Sequence, residues 1–192
     1  MKKNILIIGP SRSGKTTLSR KLSKELGCSI VNLDDLILSF EEAFPELGIR
    51  HDYDDIKIST KFAPFLIRYL KELSEGTNFY NENNYVVEGV YIDFEKVLPS
   101  INHDKYIVIG LTYNHITSKK LFENIKNNDT EDDWTYHCDN EELEENVNYF
   151  IENNKYFNEK FKKYNIKAYD VSDNRDIIFE EIIKDIKTNL FI

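Results

Sequence analysis
The sequence predicts an α/β fold: a three-layer sandwich in which a five-stranded parallel sheet carries helices on both faces. Three observations lead there. Short apolar runs of strand length alternate along the chain with stretches of helical periodicity, an order that specifies parallel strands covered by helices. Right-handed crossovers between such strands place helices on both sides of the sheet. No internal repeat and no Pro/Gly/Ser-rich linker interrupts the pattern, so residues 1–192 are expected to form one domain.

The elements follow in order. Asn4–Ile8 ends in four successive apolar residues, too few for an independent helix, and reads as the first strand. A Gly/Ser loop leads into a helix over residues 16–26, with Leu18, Leu22 and Leu26 at i, i+4 and i+8 and Gly27 closing it. Residues 29–33 form the second strand. Phe62, Phe65, Leu66, Tyr69, Leu70 and Leu73 line one face of a helix within residues 60–74. Residues 85–90, 106–111 and 167–171 supply the remaining strands. Between the last two, Leu143, Val147, Phe150, Ile151, Phe157 and Phe161 mark a long helix; Ile177, Ile178, Ile182, Ile183 and Ile186 mark a final one.

Charge is unevenly placed. The chain has 25 Lys+Arg against 34 Asp+Glu, a formal net charge of −9. Nine acids (Asp129, Glu131, Asp132, Asp133, Asp139, Glu141, Glu142, Glu144 and Glu145) and no Lys or Arg fall within residues 129–145, so the rest of the chain balances. A general nucleic-acid binder presents a net basic face; this balance argues against one and leaves room for a local basic pocket. The longest apolar runs are far too short to span a bilayer, and no membrane partner is expected. Cys28 and Cys138 supply neither a disulfide framework nor a metal cluster. The apolar stretch after Met1-Lys2-Lys3 stops at Gly9-Pro10, unlike a secretion signal, and a cytoplasmic location is expected.

Gly9-Pro10-Ser11-Arg12-Ser13-Gly14-Lys15-Thr16 fits G-x-x-x-x-G-K-[ST], the phosphate-binding loop. Its glycines allow turns that aim successive backbone N–H groups at phosphate oxygens. Lys15 brings a mobile positive charge to the β- and γ-phosphates, and the Thr16 hydroxyl suits Mg²⁺. The helix that starts there turns its positive end to the same anion. Arg12, inside the loop, either screens phosphate charge or faces solvent. On average composition the pattern arises by chance in on the order of one in a hundred chains this long. Here it also lies between a strand and a helix, where such a loop has to be.

Nucleoside-triphosphate binding is common to switch GTPases, mechanical ATPases and small-molecule kinases. The chain has no Asn-Lys-x-Asp guanine reader. A motor-type or AAA-type ATPase ordinarily ends a later strand with two acids, whereas the third strand here ends with Glu88 followed by Gly89. With the acid pair Asp34-Asp35 after the second strand, the chain resembles the nucleotide- and small-molecule-kinase branch of the P-loop NTPase fold: adenylate, shikimate and uridine kinases and their relatives. Four segments carry the resemblance over nearly the whole chain: Gly9 to Thr17, Val31 to Leu36, Val86 to Gly89, and Tyr169 to Arg175. It implies a P-loop NTPase three-layer sandwich with a lid insertion at about residues 113–145. It also implies ATP and Mg²⁺ as ligands, with Gly9, Ser11, Arg12, Ser13, Gly14, Lys15, Thr16 and Thr17 around the nucleotide, and a small-molecule phosphoryl acceptor.

By the same resemblance Lys15, Arg12, Asp34 and Glu88 are the expected catalytic residues. Asp34 matches the acid that accepts a hydrogen bond from the acceptor hydroxyl and acts as base, with Asp35 beside it; the plainer alternative for both is a helix N-cap. Glu88 ends its strand at the carboxyl edge of the sheet, where ligands bind in this architecture. It is expected to hold a Mg²⁺-bound water or the acceptor, Gly89 leaving room for a close approach. Asn174 and Arg175 follow the last strand, where the family's loop closes over the adenine, and a planar guanidinium suits stacking on a base. Arg50 and Arg68 fall in the acceptor-binding region. Arg50, His51 and Asp52 form a polar loop able to touch an acceptor, whereas Arg68, off its helix's apolar stripe, suits a solvated role at least as well. His103, His115 and His137 lack metal-ligand spacing, and Trp134 with Tyr136 reads as a local hydrophobic cluster or as lid aromatics.

The pattern breaks in the lid. Family members place arginines there, which neutralise charge on the transferred phosphoryl group. Residues 113–154 contain no arginine; Lys119, Lys120 and Lys126 are their only cations. Three readings follow. The first is an ATP-dependent phosphotransferase acting on a hydroxyl of a neutral or cationic acceptor, such as a nucleoside or amino sugar, because an acidic lid repels monophosphates at close range. The second is a nucleoside-monophosphate kinase in which Arg12, Lys119 or Arg175 replaces the missing cations. The third is a nucleotide-binding regulatory protein with little or no turnover.

Overall fold
The computed structural model describes residues 3–51, 54–76 and 84–190. Strands β1 (Asn4–Ile8), β2 (Ser29–Asn32), β3 (Tyr85–Gly89), β4 (Tyr106–Thr112) and β5 (Lys167–Asp170) form one sheet in the order β2-β3-β1-β4-β5. Every ladder is parallel, with Ile7 opposite Glu88 on one side of β1 and Ile109 on the other. The carboxyl end of β1 is therefore central, at the crevice where successive connections diverge and where open α/β sheets bind ligands.

The helices are α1 (Lys15–Leu26), α2 (Leu33–Ala43), α3 (Asp55–Glu75), α4 (Phe94–Val97), α5 (Ser118–Asn128), α6 (Asn140–Lys163) and α7 (Arg175–Leu190). Side chains alternate along a strand, and the two faces of β1 enter different cores. Ile5 and Ile7 pack with Leu18 and Leu22 of α1 and Phe179, Ile182 and Ile186 of α7. Leu6 and Ile8 pack with Ile37 of α2, Phe62 and Leu66 of α3, and Phe157 and Phe161 of α6. A side chain on Gly110 of β4 would come within 2.6 Å of the Phe161 ring, so α6 lies hard against the sheet there.

A third cluster joins Tyr113, Leu121, Ile125, Cys138, Leu143, Val147 and Phe150. It fastens α5 to the first half of α6, so the lid region folds on an apolar core of its own. Most strand and helix ends lie within a residue of expectation, and two of the differences have a capping side chain as their cause. Helix α3 starts at Asp55 rather than near residue 60, because the Asp54 carboxylate accepts from the Lys57 N–H and caps it. Strand β2 ends at Asn32, whose side chain caps α2 by accepting from the Asp34 N–H at 2.7 Å. Among the described residues no helix is long and apolar enough to cross a membrane.

Candidate functional site
The phosphate loop leaves β1 and enters α1 through two left-handed residues, Arg12 at φ 64° and Gly14 at φ 84°. A side chain on Gly14 would also meet the Phe179 ring at 2.9 Å, so conformation and packing both call for glycine there. Lys15 is buried and its Nζ donates to the Pro10 carbonyl at 2.8 Å. The loop is braced from two sides. Arg175, the first residue of α7, donates from Nη2 to the Arg12 carbonyl at 3.3 Å, and its stem lies against Gly14. The Tyr113 hydroxyl, just past β4, lies 3.0 Å from both the Ser11 and Phe150 carbonyls. Asn174, at φ 50°, starts α7 by accepting from the N–H groups of Ile177 and Ile178. Thr17 is exposed on α1.

Three carboxylates surround Lys15. The Thr16 hydroxyl donates to Glu88 Oε1 at 2.9 Å, reaching from the head of α1 to the end of β3. Asp34 lies in the first turn of α2, and Asp55 opens α3. Burial pushes the Glu88 and Asp34 carboxyls above their ordinary values, against the pull of the Lys15 charge. It does the same at Asp55, against hydrogen bonds from Tyr149 and Asn153 as well as Lys15. Lys15 is held below its ordinary value, its burial outweighing the attraction of Glu88, Asp34 and Asp55. Desolvation therefore dominates at all four groups. Among the described residues that are not exposed, the buried side-chain polar atoms without a partner are Arg12 Nε, Ser13 Oγ and Asp34 Oδ1. All three belong to this site, and buried orphans of this kind require an explanation.

The structure sorts the remaining expected residues. Asp35 is exposed beside Asp34. His51 stands at the border of the site: its Nδ1 lies 3.0 Å from Glu41 Oε2, and its ring meets buried Tyr91 edge-on. Arg50 Nε approaches the same Glu41 at 3.9 Å; Asp52 lies outside the described residues. Arg68 is not brought to the site, since its side chain is 76% exposed and pairs with Glu72 one turn along α3. The room at Gly89 is taken by the protein itself, not left for a ligand: a Cβ there would sit 2.7 Å from the Cβ of Leu33. That close approach seats α2, and with it Asp34, against the end of β3. Trp134 packs edge-on against Phe150 of the lid core.

Asp55, Tyr149 and Asn153 were not foreseen. Asn153, buried on α6, donates to Asp55 Oδ2 at 2.7 Å, and the Tyr149 hydroxyl, one turn earlier, also bonds Asp55. The available signal was a buried polar residue on a long helix, invisible to a search for apolar stripes. Thr16 and Glu88 fit a Mg²⁺ ion carried by a triphosphate, offering a hydroxyl ligand and a buried carboxylate in mutual contact. Among the described residues no three His, Cys, Asp or Glu side chains are placed to hold a metal by themselves.

An acid whose folded pKa is raised binds its proton more tightly in the native state. Its stabilising contribution is complete below its ordinary value and is lost as pH rises through the raised one. Glu88→Gln, which keeps an acceptor for Thr16, is therefore expected to be more stable than wild type at pH 7, with the gap narrowing toward pH 4.5. Urea unfolding at the two pH values measures it; no gain at pH 7 would mean that the Lys15 and Thr16 contacts outweigh burial.

Comparisons with known proteins agree on the fold. Among solved structures, a gluconokinase from Sinorhizobium meliloti 1021 superposes with a TM-score of 0.59 at 18% identity, covering 98% of this chain and 95% of that one. A shikimate kinase from Bacteroides thetaiotaomicron gives 0.59 at 16% identity, covering 99% of each chain. This chain thus shares its fold with these two kinases. Among curated proteins, the tRNA dimethylallyltransferase of Rickettsia typhi is 28% identical over 145 residues, 66% of this chain and 46% of that protein. The chain thus spans about half the length of this relative. A family model described as AAA domain, AAA_18, matches residues 5–121, the stretch from β1 through β4 that holds the phosphate loop, Asp34, Asp55 and Glu88. The single acid at the end of β3 spoke against an AAA-type protein, and the match over more than half the length corrects that expectation: this chain belongs to the AAA_18 family of AAA domains.

Proposed function
We propose that the protein is an ATP-dependent phosphotransferase that moves the γ-phosphoryl group to a hydroxyl of a small, uncharged or cationic acceptor. The observation that carries this reading is the grouping of Asp34, Asp55 and Glu88 around the phosphate-loop lysine, with Asp34 Oδ1 buried and unpartnered. An acceptor hydroxyl donating to Asp34 would be oriented as nucleophile. Its oxygen forms the new bond to phosphorus as the bond to the ADP oxygen breaks, and its proton passes to Asp34. Lys15 and the loop N–H groups would hold the phosphates, and Thr16 and Glu88 would hold a Mg²⁺ ion, which would supply neutralising charge to the triphosphate. Three carboxylates beside one lysine disfavour acceptors that carry a phosphate or carboxylate of their own.

The test is incubation with ATP, Mg²⁺ and pooled hydroxyl metabolites, with mass-spectrometric detection of a phosphate gain. Gain on an uncharged or amine-bearing compound is the expected result. If a nucleoside monophosphate binds more tightly in isothermal titration than every uncharged alcohol tried, the monophosphate-kinase reading takes its place. If ATP·Mg²⁺ raises the melting temperature and no acceptor gains phosphate, a regulatory nucleotide-binding role is favoured. A second reading has the likeness to tRNA dimethylallyltransferases in its favour; under it this chain would act on tRNA. The charge balance outside residues 129–145 weighs against that. Retention of tRNA that weakens steeply with added salt would support it.

A further inference from the structure
Arg12 leaves the phosphate loop and enters the lid. Its Nη2 lies 2.6 Å from Asp129 Oδ2 and its Nη1 2.9 Å from Asp133 Oδ1. The Asp129 side chain is 6% exposed and that of Arg12 20%, so this is no rim contact of the kind that solvent and salt dissolve. The carboxylates are themselves held in place. The Thr135 hydroxyl donates to Asp129, and the Thr130 N–H and hydroxyl donate to Asp133 Oδ2 at 3.0 and 3.1 Å. On the loop side Arg175 fixes the Arg12 carbonyl. The guanidinium is thus gripped through both Nη groups while its Nε, buried, has no partner. A guanidinium has five donors in a rigid fork, so two carboxylates orient it without exhausting it.

We propose that Arg12 does from the phosphate loop what an arginine in the lid would otherwise do, and that Asp129 and Asp133 are positioning residues that aim its free N–H edge at the bound phosphates. The rate effect rests on the phosphotransferase reading; the grip of the lid on Arg12 does not. Two of the nine lid acids thereby act with the phosphate site rather than against it. Asp133, the more exposed of the pair at 36%, is the better screened by solvent, so the charge it sets against the phosphates is softened.

The chain's single tryptophan, Trp134, lies between Asp133 and Thr135 and is 56% exposed, so it reports on the lid directly. Three proteins are compared with wild type: Arg12→Asn, chosen because Asn tolerates the left-handed backbone at this position; the pair Asp129→Asn with Asp133→Asn; and all three together. Arg12→Lys, which keeps the charge and loses the fork, serves if Arg12→Asn fails to fold. Without nucleotide, each is expected to increase acrylamide quenching of Trp134. With ATP·Mg²⁺, Arg12→Asn and the double variant should each lose about 100-fold in kcat, with KM for ATP little changed. The triple variant should be no slower than Arg12→Asn alone, because the acids act through the arginine. Faster turnover in the double variant would show the acids restraining Arg12, and additive losses would show them acting elsewhere; either overturns the proposal. Unchanged Trp134 quenching overturns the grip itself. If wild type turns over no ATP, the phosphotransferase reading fails with the rate effect, and the quenching comparison alone decides the grip.

Discussion

Asp34→Asn is expected to lower phosphoryl transfer by about 10²- to 10⁴-fold, the range for losing a general base, while ATP still binds. The amide matches the carboxylate in size, and the bond that starts α2, from the Asp34 N–H to Asn32 Oδ1, does not involve the Asp34 side chain. What is lost is an oxygen able to take a proton. Asp34 Oδ1 is buried without a partner, and burial raises the carboxyl above its ordinary 3.8, toward the range where a base works near neutrality. Single-turnover transfer by mass spectrometry, with ATP affinity from isothermal titration, measures both quantities. In wild type the acid limb of kcat/KM should lie above 3.8 and should vanish in the variant's residual activity. A variant that transfers at nearly the wild-type rate would leave Asp34 as no more than an acid in the first turn of a helix.

Lys15→Met should move activity and stability in opposite directions. Turnover is expected to fall by about 10²- to 10³-fold, the scale for losing one electrostatic donor at a developing charge, and ATP should no longer raise the melting temperature. Without nucleotide, the melting temperature at pH 7 should not drop. The reason is that burial holds the Lys15 ammonium below its ordinary value even with Glu88, Asp34 and Asp55 close by. A lysine with a lowered folded pKa binds its proton less tightly in the native state. Its charge then opposes folding at neutral pH, and that penalty fades as pH rises toward 10.5. Any gain in the methionine variant should therefore shrink by pH 10. A clear loss of thermal stability at pH 7 would mean that the lysine's attraction for the three carboxylates exceeds its own desolvation.

Local sequence signals located most of what is contiguous. The eight residues Gly9 to Thr16 were legible because one strand–loop–helix unit contains every group they need. Each strand was found within two residues of its end, since a short run with apolar residues between helical stretches suffices to mark one. Asp34 and Glu88 were legible because both stand at strand ends facing the same edge of the sheet. Asp55 was not, because its partners Asn153 and Tyr149 lie far along the chain on α6, outside the apolar stripe that announces that helix. Arg68 and Gly89 show the converse. Their residue types suited an acceptor site, but helix α3 turns Arg68 to solvent and Leu33 fills the space at Gly89.

By itself the sequence determined the class of fold, the nucleotide loop and the position of the acidic segment, because each is written in neighbouring residues through a period, a spacing or a count. It placed nine acids in the segment that the kinase resemblance marks as a lid and went no further. Only the tertiary structure decided what they meet. Asp129 and Asp133 reach Arg12 across 117 and 121 positions, and the rest of that run is largely exposed, with Asp139 capping α6. Such a pairing depends on the order of strands in the sheet and on how the lid core, through Tyr113, is seated beside the phosphate loop. Those are properties of packing between distant segments, and no local pattern of residues encodes them.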